Sequence, residues 1–269
     1  MWEKAKVIYI IWYRDVLRYW RNKVRVVSGL AFPIIWLVFF GTGMSSSLQI
    51  IGGEGIDYIL FVFPGILAMN LIFSSIFSSI SIVTDREFGF LREILVAPIS
   101  RGAIAVGKTL GGATTAFLQA LLILILAPIV GITLNFKMVL FLIPAMFLIS
   151  FALTAFGVLI ASRLKSSESA SLVFQFVVMP MYFLSGALFP LSNLPHWLYV
   201  FVRINPVTYA VDILRQIVFL NSGIEQSVVQ SLGADFLGKP LTIDLDFFIV
   251  LFFALIMIFL SVQSFRQTE

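Results

Sequence analysis

Thr84–Lys108, TDREFGFLREILVAPISRGAIAVGK, places Asp85, Arg86, Glu87, Arg92, Glu93, Arg101 and Lys108 between two long apolar runs. The run before it, Tyr58–Val83, has no charge in 26 positions; the run after it, Thr109–Phe136, has none in 28. At about 1.5 Å of rise per residue, a helix of either length crosses a bilayer core of about 30 Å. Unpaired charge is costly in hydrocarbon, so the island belongs in water or among headgroups. Inside it Phe88, Leu91, Ile94 and Leu95 recur at helical spacing, with charges at 85, 86, 87, 92 and 93 around them. The pattern predicts a short amphipathic helix ending near Pro98 and lying along the membrane surface. Its apolar side is expected to face the spans and its charged side a partner in solution.

Composition agrees. Hydrophobic residues make up 60% of the 269, charged residues 12%, and mean hydropathy is +1.03. Soluble domains hold roughly 45–50% apolar and about 25% charged residues, so this is an all-α integral membrane protein. The chain has no cysteine, which removes disulfide and thiol chemistry. No cleavable signal peptide is expected, because Arg14 interrupts the N-terminal apolar stretch before a proper core develops.

Outward from the island, residues 1–25 carry seven basic side chains against Glu3 and Asp15. Arg14, Arg18, Arg21 and Arg25 fall on one helical stripe and Trp12, Val16, Tyr19 and Trp20 on another. That suits a helix lying in the membrane interface, although a plain basic flank to the first span has the same composition. Six spans are expected, at about Val24–Thr42, Tyr58–Val83, Val106–Val130, Met138–Ala161, Ala170–Phe189 and Phe247–Val262. Pro190–Asn221 is too short and too punctuated by Pro190, Pro195 and Pro206 to cross, and suits re-entrant or interfacial helices. Residues 222–246 read as an outer loop and 263–269 as a tail. An even number of spans puts both termini on one side. With that side cytoplasmic, Lys and Arg fall as seven in the N-terminal arm, four in the island, two in Ser162–Ser169 and one in the tail. These are 14 of the 18, as the positive-inside rule requires of a cell-membrane protein with cytoplasmic termini.

Gly102–Thr109 (GAIAVGKT) satisfies the P-loop pattern. A P-loop needs a preceding strand and a surrounding α/β domain, whereas this stretch opens a span. Lys108 is expected to anchor that helix at the interface, and Gly107 and Gly111 to form a small-residue packing face. Asn70, Ser74, Ser78 and Ser81 form one polar stripe on the second span. Such serines commonly bond back to their own helix and permit close packing; alternatively, the stripe lines a subunit seam or substrate path. No Asp, Glu, Lys or Arg is expected deep in any span, which argues against an ion-coupled carrier. His196 is the only histidine, so neither a metal site nor a catalytic constellation is expected, which argues against a lipid-modifying enzyme. Asp212 and Arg215, three apart, are spaced to pair.

Two blocks resemble a known family. Thr84–Gly89 (TDREFG), Leu91–Leu95 (LREIL), Ala97–Arg101 (APISR) and Gly107-Lys108 resemble the cytoplasmic segment of type-2 ABC exporter permeases. Leu184–Pro190 (LSGALFP), Leu194–Trp197 (LPHW), Asn205–Tyr209 (NPVTY) and Asp212–Arg215 (DILR) resemble its C-terminal signature, in particular that of the daunorubicin-resistance and nodulation-factor export branch. The resemblance implies an N-terminal elbow helix at residues 1–25, a six-span permease domain over 24–262, and a coupling segment over 84–101. Asp85, Arg86, Glu87, Phe88, Gly89, Leu91, Arg92, Glu93, Pro98 and Arg101 would then dock on a separate ATPase, with Phe88 and Leu91 toward the bundle. It also implies outer re-entrant helices over 190–221, marked by Gly186, Pro190, Pro195, Trp197, Asn205, Pro206, Tyr209, Asp212 and Arg215. The implied assembly is two permeases and two ATPase subunits among membrane lipids, with no nucleic-acid partner. ATP and magnesium would bind the ATPase, and this chain would carry no cofactor. Drugs, lipids and glycans are all substrates of such exporters.

Overall fold

The structure, a computed structural model, describes residues 2–43, 58–90, 99–188, 195–222, 235–236 and 239–267. Helices α1 (Trp2–Arg21) and α2 (Lys23–Gly43) meet at Asn22. There the axis turns by 74°, and Asn22 Oδ1 accepts from Arg25 N–H at 3.1 Å, capping the new helix. Next come α3 (Tyr58–Ser78), α4 (Ile80–Glu87), α5 (Arg101–Leu126) with a 3₁₀ turn at Ala127–Val130, and α6 (Phe136–Ala161). They are followed by α7 (Ser167–Phe183), α8 (His196–Ile204), α9 (Pro206–Asn221) and α10 (Ile243–Gln267). A two-residue antiparallel ladder, β1 (Asp235–Phe236) with β2 (Lys239–Pro240), precedes α10. The later helices start where side chains cap them. Asn135, Ser166 and Asn205 accept from Lys137, Ser169 and Val207 N–H, and Pro206 sits at the first position of α9.

Among the described residues, four helical stretches are long and apolar enough to cross a membrane: Leu60–Glu87, Arg101–Ile129, Phe136–Ala161 and Ile243–Gln267. Counted as one span, the bent α1–α2 pair would be a fifth. The fifth expected span corresponds to α7, which has 17 residues, about 25 Å at the helical rise. Along α10, Phe248, Phe252, Leu255 and Phe259 are exposed, as a lipid-facing helix requires.

The core is α3 with α9. Every residue from Phe61 to Ile72 is buried, as is every residue from Val207 to Phe219. The α9 segment therefore packs into the protein on all sides. Where α3, α5 and α6 converge, a Cβ added at Gly112 would lie 2.3 Å from Ser78 Oγ and 2.7 Å from Thr154 Cγ2. Only glycine permits that approach.

Two expectations change here. The sixth helix begins at Ile243 rather than Phe247, so Asp246 is helical and fully buried instead of closing the outer loop. Charge also enters the helical body. The expected second span ends at Val83 and the third begins at Val106, whereas the helices run on to Glu87 and begin at Arg101. That carries Asp85 and Lys108 inside, so the absence of buried charge no longer argues against an ion-coupled carrier.

Candidate functional site

One end of the body gathers α1, α4, the start of α5, the α6–α7 turn and the last turns of α10. Three consecutive charges on α4 hold it together. Burial of Ile82 sets the phase of this helix, and Asp85 and Arg86, three and four residues on, share its inward face.

Asp85 binds two neighbouring helices. Its Oδ2 accepts from Arg14 Nη2 at 2.7 Å and from Lys108 Nζ at 2.6 Å, and its Oδ1 meets Arg18 Nη1 at 3.2 Å. Lys108 also reaches Asp15 Oδ2 at 3.1 Å, and Arg14 reaches Asp15 Oδ1 at 2.9 Å. The Lys108 side chain is 1% exposed and that of Asp85 6%. Lys108 is thus the inner member of a buried network rather than an interface anchor. The expected packing face at Gly107 and Gly111 accommodates α1: a Cβ on Gly107 would lie 3.0 Å from Ile11 Cβ, and one on Gly111 3.0 Å from Asp15 Cβ. The whole Gly102–Thr109 stretch lies within α5.

Arg86 caps the end of α6, donating to the Ser162 carbonyl at 2.8 Å and to the Leu164 carbonyl. A cation there also complements the negative helix terminus. Ser162 Oγ bonds Ser264 Oγ at 2.6 Å, which brings α10 to the same corner. Glu87 accepts from Ser167 N–H at 2.7 Å and from Ser167 Oγ, placing a carboxylate on the N-terminus of α7.

The chain then turns outward. Gly89 has φ +77°, a left-handed value that favours glycine. Phe88 is 82% exposed, and Phe90 is 40% exposed beneath the Arg14 guanidinium at 4.7 Å. This reverses the expected orientation: Asp85, Arg86 and Glu87 bind the bundle, and Phe88 points away from it. Apolar spacing at 88, 91, 94 and 95 could not show this, because the rotation is inherited from the burial of Ile82 and Asp85. Leu91, Arg92, Glu93 and Pro98 lie outside the described residues. Arg101 opens α5 and donates to the Arg266 carbonyl at 3.2 Å.

The polar stripe of α3 faces α2 and α5. Asn70 donates to the Gly29 carbonyl at 3.2 Å, Ser74 donates to Gln119 Oε1 at 2.8 Å, and Ser78 bonds back to the Ser75 carbonyl. Ser81 is half-buried at the mouth of a cleft with Arg18 and Arg25.

At the opposite end, Gly186 has φ +76°, and its carbonyl accepts from Arg215, which stacks on Phe61 at 4.9 Å. Asn205 donates to the Met181 carbonyl at 2.7 Å, and Tyr209 donates to the Arg203 carbonyl at 2.6 Å. Gln216 Nε2 stands 3.0 Å from both Asp212 Oδ2 and Asp246 Oδ2. Pro195 caps α8 and Pro206 opens α9, while Trp197 is 65% exposed. Pro190 lies outside the described residues. Sequence reasoning missed Asp15, Lys108, Gln119, Gln216 and Asp246 as functional candidates. Only Lys108 left a signal, lying seven residues after the Arg101 that opens its helix.

The described helices form a polytopic membrane body with a buried charge network behind one exposed aromatic turn. The chain belongs to the ABC-2 type transporter family, whose sequence profile matches residues 6–219. It is 32% identical over 197 residues to ycf38 of Cyanophora paradoxa, named as a transport permease, covering 72% of this chain and 68% of that one. It is 30% identical over 177 residues to YbhR of Escherichia coli K12, named as a multidrug ABC transporter permease (63% and 46% covered). Nodulation protein J of Rhizobium meliloti strain 1021 is 28% identical over 210 residues, covering 77% of this chain and 79% of that one.

Proposed function

We propose that this permease is the transmembrane subunit of an ATP-driven exporter. Two copies pair with two copies of a separate ATPase and move an amphipathic drug, lipid or glycan-type substrate outward from the cytoplasm or inner leaflet. In this reading α2, α3–α4, α5, α6, α7 and α10 make six crossings with both termini cytoplasmic. The α1 helix is the interfacial elbow, and α8–α9 are the outer re-entrant helices. One observation carries the mechanism. Asp85, Arg86 and Glu87 tie a single short helix to α1, α5, the α6–α7 turn and α7, and the residue that follows, Phe88, is 82% exposed. A partner gripping Phe88 and the segment after it pulls on four elements at once. ATP and magnesium act in the partner, and this chain converts its closure into helix motion.

The test is co-purification with the cognate ATPase, followed by ATP hydrolysis and export in vesicles. The parent should assemble and couple. Arg86→Ala should still assemble but hydrolyse ATP with reduced export, because the α6–α7 turn is released. An Arg86→Ala complex exporting at the parental rate per ATP would contradict the proposed transmission.

A further inference from the structure

Three adjoining cavities run from the Asp85 end into the body between α1, α2, α3 and α5, and Arg25 lines all three. The mouth, about 340 Å³, lies between Arg18, Arg25 and Ser81. The inner cavity, about 280 Å³, lies against Phe73, Ser74, Phe77 and Gln119. Ser78 and Ser81 line the small pocket between them. Ser74, Ser78 and Ser81 of the polar stripe thus line one wall of these adjoining cavities.

The charges of this cleft select a ligand. Arg25 stacks over Tyr19 at 5.9 Å and makes no ion pair among the described residues. Arg18 binds Asp85 through one nitrogen, and its side chain is 53% exposed. Among the described residues the only acid in the lining is Asp15, which Lys108 and Arg14 already hold. The mouth thus offers two guanidinium forks, the geometry that receives phosphate or carboxylate oxygens. Deeper in, Tyr19 and Ser74 hydroxyls donate to Gln119 Oε1, and the Gln119 amide nitrogen packs against Gly29, which fixes this polar side chain in the cavity lining. Phe73 and Phe77 stack at 6.1 Å beside it, as an apolar wall.

We propose that this cleft binds an amphiphile with an anionic, phosphate-type head, the head at Arg25 and Arg18 and the apolar chain along Phe73 and Phe77. The chemistry fits a transported molecule and a resident inner-leaflet lipid alike. Only its assignment as transported cargo rests on the exporter reading.

The full chain, in neutral detergent without its ATPase, is titrated with dodecyl phosphate, inorganic phosphate and dodecyltrimethylammonium. Dodecyl phosphate should bind at least tenfold more tightly than the other two. Arg25→Gln should weaken it at least tenfold, Arg25→Lys less, and Arg21→Gln, on the same arm but outside the three cavities, not at all. Phe77→Ala should reduce the gain from hexyl to dodecyl phosphate while leaving the head requirement intact. This variant keeps the test decisive if Arg25→Gln does not fold. Equal binding of the cationic amphiphile, or equal loss in Arg21→Gln and Arg25→Gln, would overturn the proposal. A second arm adds the ATPase. Arg25-dependent stimulation of hydrolysis by dodecyl phosphate identifies cargo. Arg25-dependent binding without stimulation leaves the site intact as a lipid site and counts against export of such amphiphiles.

Discussion

The two ends of the body bury charge in different arrangements. Around Asp85 three cations, Arg14, Arg18 and Lys108, surround two acids, Asp15 and Asp85, and the pairs cross from α1 to α4 to α5. Around Gln216 two acids, Asp212 and Asp246, converge on one neutral amide, while the Arg215 guanidinium reaches the Gly186 carbonyl. The first cluster is a cross-brace whose members are held by opposite charge. The second is a seam between α9 and α10 in which one amide bridges two acids. A cross-brace of ion pairs transmits displacement between helices, because separating its members uncovers charge in a dry site. A seam held by an amide yields at lower cost. The difference suits a driven end and an end that opens.

If the two clusters lie on opposite membrane faces, a cysteine at Ser167, beside Glu87, should be labelled by an impermeant thiol reagent only from the cytoplasm. One at Ser227 should be labelled only from outside. The chain has no native cysteine to interfere. This all-or-none effect is the largest expected, and labelling of both from one face would abolish the comparison.

Lys108→Met should come next, lowering stability by about 3–5 kcal/mol, since it removes the innermost cation from buried Asp85 and Asp15. Thermal unfolding in detergent reads it. Pairing it with Asp85→Asn should cost less than the two single changes added together, because the network fails as a unit. Gln216→Leu should cost less, about 1–3 kcal/mol, by depriving two carboxyls of their shared donor. Equal losses from Lys108→Met and Gln216→Leu would remove the distinction between brace and seam.

Much of this was legible in the sequence because lipid leaves few choices. Uncharged runs of 26 and 28 residues place α3 and α5, and clustered basic residues place the arm and the island at one end. Orientation within the island was not legible. Phe88, Leu91, Ile94 and Leu95 form a stripe that looks like a buried face, yet Phe88 is exposed, because α4 continues the phase of Ile82 and Gly89 redirects the chain. Lys108 reads as an interface anchor near the start of the third span and Asp246 as the end of the outer loop, because lipid does not admit unpaired charge. Charge enters wherever a partner from another helix meets it, and that partner is a tertiary fact. Gln119, in an uncharged run, gave no sign that it would accept from Ser74 and Tyr19.

The most direct test of the central claim is Phe88→Ala. Phe88 lies outside the brace and is 82% exposed, so stability should change by no more than about 0.5 kcal/mol. Docking should suffer more. An aromatic anchor at the heart of an interface is worth roughly 2–4 kcal/mol, and its removal should sharply reduce pull-down of the ATPase subunit. The measurement is that pull-down beside a melting curve of the same preparation. Lost assembly at an unchanged melting temperature is the expected result. Parental assembly and parental export by Phe88→Ala would contradict the assignment of this turn as the coupling element.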